Sequence, residues 1–145
     1  MIPQEEYEKI LKYMPIVCVD GLIQNISKEY LLVKRINEPL KNEYWVPGGR
    51  IVKNERIEDA IKRKMKQELN IGIKVKRLLG FFEDFYKIFH SEIFNEIHVV
   101  SFVFLLTIDD QDKIILDNQS SDWKWCKALP PRLIDKLQII GDNVL

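Results

Sequence analysis

Three places in this sequence put reactive residue types where folding alone has no use for them. Glu68 is the first. Ile57, Ala60, Ile61, Met65 and Leu69 recur at helical spacing within residues 56–69 and define one apolar face. At about 100° per residue, Glu68 falls near the middle of that face. A carboxylate there is unfavourable unless a cation or a metal ion pairs with it. Lys64, four residues earlier, is one such partner in an i,i+4 ion pair. The second place is Asp20, inside the apolar run 16–23. A carboxylate in a core strand needs a partner, or the strand opens into a site there. The third is Pro47-Gly48-Gly49-Arg50. Two glycines let a backbone approach a ligand closely and expose its amides and carbonyls. A tight turn explains them equally well.

The elements that must position these groups follow from periodicity. Residues 4–13 form a short helix with Tyr7, Ile10 and Leu11 on one side. Residues 16–23 read as a buried strand and 30–34 as a second. Asn37-Glu38-Pro39 is a loop, 44–46 a short extended piece, and Pro47-Gly48-Gly49 a turn. The helix over 56–69 stops at Asn70 and Gly72. Residues 75–86 and 98–107 are long strands, and the second is nearly continuous in apolar residues, which implies cover on both sides. Asp109-Asp110-Gln111-Asp112 is a polar turn, 114–116 and 123–126 are short strands, and Pro130-Pro131 opens a C-terminal helix. Strands mixed with a few helices around a doubly covered strand predict an α/β sandwich. No linker or repeat divides the chain, so residues 1–145 are expected to form a single domain.

Composition narrows the function. Lys plus Arg and Asp plus Glu both number 22, giving zero formal net charge. A neutral chain lacks the basic footprint of a general nucleic-acid binder, so none is expected as a partner. Cys18 and Cys126 are too few for a disulfide framework and read as small core residues. The N-terminus is acidic, without a signal-type apolar segment, and no run approaches the roughly 18 apolar residues of a membrane span. A soluble cytoplasmic protein with no membrane partner is expected.

Taken together the three anomalies gain meaning. From Gly49, five residues lead to Glu55, seven more lead to Arg63, and Glu68 and Ile71 follow. This resembles the Nudix box, and the preceding Trp45-Val46-Pro47-Gly48-Gly49 is also typical of that family. The resemblance implies an α/β/α sandwich with a central mixed sheet. Lys64, Gln67 and Asn70 depart from the box, where two glutamates and a glycine are usual. The GDP-mannose mannosyl hydrolases share the loss of the helix carboxylates, and similarity to that branch runs from Gln4 to Trp125. It includes Asn37-x-Pro39, Asp84-Phe85-Tyr86, His98-Val99-Val100 and the segment from Gln119 to Trp125.

That resemblance implies a nucleotide-sugar substrate, a single Mg²⁺ and a homodimer. Water would attack the sugar anomeric carbon, and the nucleoside diphosphate would leave. Glu68, a carbonyl of the Gly48-Gly49 pair (Gly48) and Gln119 would be the metal ligands. Arg35 and Arg50 would stabilise the departing diphosphate, and Asp20 would bind the sugar or orient the site. Tyr86 and His98 would join the two arginines in contacting substrate.

Two residues depart from the branch. A His that serves it as general base is replaced by Ser120, and an unassisted Ser is a poor base at neutral pH. Glu83, Asp84, Glu92, Glu96, His90 and His98 are the candidates to substitute, with His98 a fair one. The Lys64 ammonium would compete with Mg²⁺ for Glu68 unless its stem snorkels away. Arg63 is expected to pair with Glu55. The basic cluster formed by Lys62, Arg63, Lys64, Lys66, Lys74, Lys76 and Arg77 reads as a solvated face, or as an attractor of an anionic nucleotide. Two other functions stay open: hydrolysis at phosphorus in a nucleoside diphosphate derivative, and nucleotide-sugar binding without catalysis.

Overall fold

The computed structural model describes residues 1–89, 91–108 and 113–141. His90 and the expected polar turn at 109–112 lie outside the described residues, as do the last four positions. In chain order the elements are α1 (Gln4–Tyr13), β1 (Ile16–Ile23), β2 (Tyr30–Arg35), β3 (Tyr44–Trp45), β4 (Gly48–Arg50) and α2 (Ile57–Leu69). Then come β5 (Ile73–Lys87), β6 (Glu96–Ile108), β7 (Ser120–Cys126), α3 (Pro131–Lys136) and β8 (Gln138–Ile139).

Five strands form one sheet in the order β4-β1-β6-β5-β8, and three form another in the order β3-β2-β7. β1 runs parallel to β6 while β4, β5 and β8 pair antiparallel, so the larger sheet is mixed. Alternation along the strands sorts side chains between its faces. Val19, Ile23, Phe104 and Leu106 meet Ala60, Ile61, Met65 and Leu69 of α2. Cys18, Leu22, Val103 and Leu105 share the opposite core with Leu11 of α1 and Leu133 of α3. Helices thus cover both faces, and the architecture is the α/β/α sandwich with a central mixed sheet.

Helix α2 begins with Glu58 and Asp59 in its first turn, where carboxylates complement the positive helix end. It stops at Asn70, which takes the left-handed conformation (φ 55°) and returns its N–H to the Lys66 carbonyl. Asparagine tolerates that conformation better than most side chains, so it substitutes for the usual glycine. Arg63 braces the helix. Its Nε donates to Glu55 Oε1 at 2.5 Å, and its terminal nitrogens reach Glu55 Oε2 at 2.9 Å, the Arg50 carbonyl at 3.0 Å and Gln67 Oε1 at 3.0 Å. The expected Arg63–Glu55 pair is present. Gln67, a departure from the box, is a further partner of the same arginine.

Several expectations change. Gly48 and Gly49 are strand, not turn, because β4 adds to the edge of β1 with Asp20 opposite Gly48. Residues 114–116 form no strand. Ile115 and Asp117 instead donate their N–H groups to the Leu69 and Glu68 carbonyls at 2.9 and 3.1 Å. That stretch therefore fills unpaired carbonyls at the end of α2. β5 and β6 run longer than predicted at both ends. β8 was not predicted at all, since two exposed residues leave no hydrophobic pattern.

The reason for β8 lies in its partner. A Cβ on Gly80 would sit 1.9 Å from the Gln138 carbonyl oxygen, so only glycine lets the two backbones approach. The obstacle is main chain and cannot rotate away. Gly80→Ala is expected to destabilise the protein by about 3 kcal/mol, the upper end of ordinary overpacking costs, and urea unfolding would measure it. A loss below about 0.5 kcal/mol would mean that β8 is not held at Gly80.

Candidate active site at the edge of the glycine strand

Glu68 is buried, with its residue only 6% exposed, as its position on the helix face predicts. Both carboxylate oxygens have protein partners. Lys64 Nζ lies 2.8 Å from Oε1, and the Gly48 N–H donates to Oε2 at 3.3 Å. Strand register explains the second bond. Gly21 N–H bonds to the Pro47 carbonyl and Ile51 N–H to the Val17 carbonyl, so the intervening Asp20–Gly48 pair is of the non-hydrogen-bonded kind. The Gly48 amide therefore faces away from β1 and toward the helix. Burial raises the Glu68 pKa above the usual carboxylate value, and the Lys64 charge opposes that shift.

Lys64 does not snorkel into solvent. Its side chain is 15% exposed and lies across Gly49, where an added Cβ would come within 2.5 Å of Cε and 2.9 Å of Nζ. The second glycine thus makes room for a lysine. The first makes room for main chain and Asp20: a Cβ on Gly48 would sit 2.2 Å from the Val19 carbonyl oxygen and 2.5 Å from Asp20 Oδ1.

Asp20 is buried beside Gly48 and accepts a short hydrogen bond from Ser101 Oγ. Burial pushes its pKa up to about 7. The Ser101 bond, Arg35 and Lys64 oppose that rise, while the Glu68 charge adds to it. Asp20, Glu68, Lys64 and Arg35 therefore form one electrostatic neighbourhood around the sheet edge. Asp20 also raises the Tyr86 phenol pKa, after burial and Asp84, so Tyr86 belongs to the same surroundings.

Arg35, though in range of Asp20, and the remaining expected residues have partners of their own. Arg35 Nε donates to the Pro39 carbonyl at 2.7 Å and so shapes the 37–43 loop. Arg50 lies over the Tyr7 ring, 4.3 Å from its centroid, and its buried Nη1 finds no hydrogen-bond partner among the described residues. Gln119 Oε1 accepts from Asn37 Nδ2 at 2.9 Å, and its own amide nitrogen reaches Asn118. His98 stacks on Phe85 with ring centroids 4.4 Å apart, and its Nε2 lies 3.1 Å from Glu83 Oε1. Phe85 is exposed and the neighbouring Tyr86 is buried, so alternation puts His98 and Tyr86 on opposite faces of the sheet.

Sequence reading overlooked Arg132. It grips the buried Asp84 with Nε–Oδ2 at 2.6 Å and Nη2–Oδ1 at 2.9 Å, and lies over the Tyr86 ring at 4.7 Å. Burial works against ionisation of Asp84, but Arg132 and the Phe85 N–H hold its pKa below the usual value. Asp84 is thus committed to a structural pair and makes a poor base. Arg132 and Tyr86 line a cleft of about 460 Å³ with Glu38, Leu40, Glu43 and Phe89. A bulge-free alternation of buried Phe82, Asp84 and Tyr86 was the available signal that Asp84 faces inward and needs a cation.

Comparison with known proteins places this geometry. A family model for the NUDIX domain matches residues 14–136. The chain belongs to the Nudix family. It is 37% identical over 123 residues to the low-salt glycan biosynthesis protein Agl8 of Haloferax volcanii, covering 85% of this chain and 78% of that protein. It is 33% identical over 144 residues to the ADP-ribose pyrophosphatase of Methanocaldococcus jannaschii, covering 98% of this chain and 81% of that one. The crystal structure of a MutT protein from Methanosarcina mazei Go1 superposes with a TM-score of 0.67 at 21% identity, covering 83% and 89% of the two chains. That last likeness concerns the fold.

Nudix hydrolases generally use a divalent metal such as Mg²⁺. The donors described here do not fit one as they stand. An ammonium already sits on Glu68, the Gly48 amide holds the other oxygen, and Gln119 turns to Asn37. Among the described residues no three His, Cys, Asp or Glu side chains converge on a metal position. A hard dication needs several oxygen ligands and is repelled by an ammonium at hydrogen-bond distance from one of them.

The Asp20 environment has a pH signature. The folded chain holds this proton until about pH 7, and an ordinary Asp releases it near 3.8. Between those values the folded state binds more protons than the unfolded one. Stability from this group is complete below about pH 3.8 and is lost as pH rises through about 7. Asp20→Asn is expected to flatten the fall in urea-unfolding stability between about pH 4 and about pH 7. Equal slopes in wild type and variant would show that Asp20 does not titrate there.

Proposed function

We propose that this Nudix protein hydrolyses a nucleotide sugar, a nucleoside diphosphate whose terminal phosphate carries a sugar, with GDP-mannose as the type of substrate. The observation that carries the reading is Lys64, held 2.8 Å from Glu68 against Gly49, with Lys64 and Arg35 both acting on buried Asp20. A diphosphate is the group such a cluster attracts, because a leaving phosphate oxygen stabilised by cations needs no proton. The relatives support the class: one is named for glycan biosynthesis and one for ADP-ribose, itself a nucleoside diphosphate joined to a sugar. The proposal extends, on the resemblance alone, to a homodimer in the cytoplasm.

In this reading water forms a bond to the anomeric carbon as the bond from that carbon to the diphosphate oxygen breaks, and the proton that the attacking water loses passes to solvent water. The electron pair leaves with the diphosphate. Arg35 and Arg50 stabilise that charge; the buried Nη1 of Arg50 has no hydrogen-bond partner among the described residues. Asp20 orients the sugar side of the site. Tyr86, on the wall of the cleft beside Arg132, contacts substrate. The proposal leaves out His98, which faces the other side of the sheet.

A second reading keeps the substrate class and moves the attack to phosphorus. The M. jannaschii relative, named as a pyrophosphatase and aligned over 98% of this chain, favours it. The two separate in isotopically labelled water with GDP-mannose and ADP-ribose as probes, with and without Mg²⁺, read by phosphorus NMR. From GDP-mannose, the probe whose diphosphate is joined to an anomeric carbon, the expected products are sugar bearing the label and unlabelled GDP. Label in phosphate would establish the second reading. No turnover of either probe under any condition would remove hydrolysis and leave binding.

A further inference from the structure

Several charged side chains outside the candidate site have partners. Arg132 and Lys136 hold Asp84, Arg63 holds Glu55, and Lys124 lies over Tyr44. Lys64 is different, because its position explains features of three other residues at once.

Its partner Glu68 is buried, with side-chain exposures of 15% and 8% across the pair. Exposed i,i+4 pairs contribute little and break readily. A pair this enclosed is held, since separating it strands a buried charge. The ammonium also rests against Gly49, in a space that a Cβ would fill. Gly49 is therefore matched to the lysine as well as to the strand. Gly48, next along, closes the arrangement by donating its N–H to the far oxygen of Glu68. One cation, one carboxylate and two glycine backbones make a finished cradle with no position left for a second cation.

An ammonium differs from a dication in a useful respect. It carries three N–H donors, of which Glu68 takes one. The others remain for an anionic oxygen arriving at the mouth of the cradle. Lys64 and Arg35 both act electrostatically on Asp20, so both lie within range of that carboxyl.

We infer that Lys64 is the resident cation of this site: it occupies the place on Glu68 that a divalent ion would need, and the chain binds the diphosphate of a nucleotide through it without metal. The ligand class rests on the function proposed above, but the exclusion of metal does not.

The test uses the full chain with two probes, Mn²⁺ and GDP. Mn²⁺ binding is followed by electron paramagnetic resonance, and GDP binding by calorimetry in EDTA and in Mg²⁺. Wild type is expected to show no stoichiometric Mn²⁺ site. Lys64→Glu, which pairs two carboxylates one helical turn apart, is expected to create one. GDP should bind wild type equally well in the two buffers. Lys64→Met keeps the length of the stem and removes only the charge. It should weaken GDP about tenfold or more, the loss of a hydrogen bond to a charged group. Circular dichroism confirms that each variant is folded before it is scored. A stoichiometric Mn²⁺ site in wild type that disappears in Glu68→Gln would overturn the inference. So would GDP binding that requires Mg²⁺, or that is unchanged in folded Lys64→Met. If GDP binds neither protein in either buffer, the nucleotide reading of the preceding section fails. The Mn²⁺ titration then decides alone: a site only in Lys64→Glu supports the inference, and a site in wild type defeats it.

Discussion

A carboxylate in an apolar interface must be answered by a donor on each side, and Glu68 is answered by Lys64 from its own helix and by Gly48 from a strand edge. Much of the local architecture follows. The strand amide is free to reach the helix because β4 pairs with β1 in a register that turns Gly48 outward. The lysine can lie down because Gly49 has no side chain. The helix keeps its orientation because Arg63 ties Glu55, Gln67 and the Arg50 carbonyl to one guanidinium. Remove the carboxylate and the lysine is a buried charge without a counterpart. Remove the lysine and Glu68 keeps only a long amide bond, which is a weak answer to its burial.

The parts of this that could be read in the sequence were those fixed by local spacing. Glu68 lies on the apolar face of a helix because 100° per residue puts it there, and Lys64 lies beside it because four residues make one turn. The Arg63–Glu55 brace belongs to the same class. The glycines were harder. A Gly-Gly step after Pro reads as a turn from sequence, because glycine is permissive in turns. Its use here is close approach of Val19, Asp20 and Lys64, and those neighbours come from other elements. The fold class and its covering helices were legible because hydrophobic period survives without tertiary information. β8 was not, since its placement depends on a single missing Cβ 58 residues earlier in the chain than Gln138.

Side-chain direction was the least legible quantity. Tyr86 and His98 both look like substrate contacts from sequence, yet the alternation of β5 and its pairing with β6 put a sheet between them. The Asp84–Arg132 pair joins residues 48 positions apart and has no local signature beyond a carboxylate at a buried register position. Gln119 shows the same limit from another direction. Its strand end is correctly adjacent to Arg35, through the bond from Ile36 N–H to its carbonyl, but its amide is spent on Asn37.

In the proposed nucleotide-sugar reading, charge balance biases the site toward anions. Lys64 and Glu68 cancel as a pair, which leaves Arg35 and Arg50 against Asp20. Full ionisation of Asp20 would cancel one of those two positive charges, and a diphosphate would meet carboxylate repulsion. Burial prevents this by pushing the Asp20 pKa up to about 7, so near neutral pH a large fraction of the molecules carry that proton. The Ser101 hydroxyl bonds Asp20 in either protonation state, because a hydroxyl both donates and accepts. A protonated Asp20 adds no negative charge beside the arginines and still offers hydrogen bonds to a sugar hydroxyl. The same burial that costs stability as pH rises therefore keeps the edge of the glycine strand cationic. On the proposed function, each further proton lost from Asp20 would weaken anion binding and stability together, which couples the two through one carboxyl group.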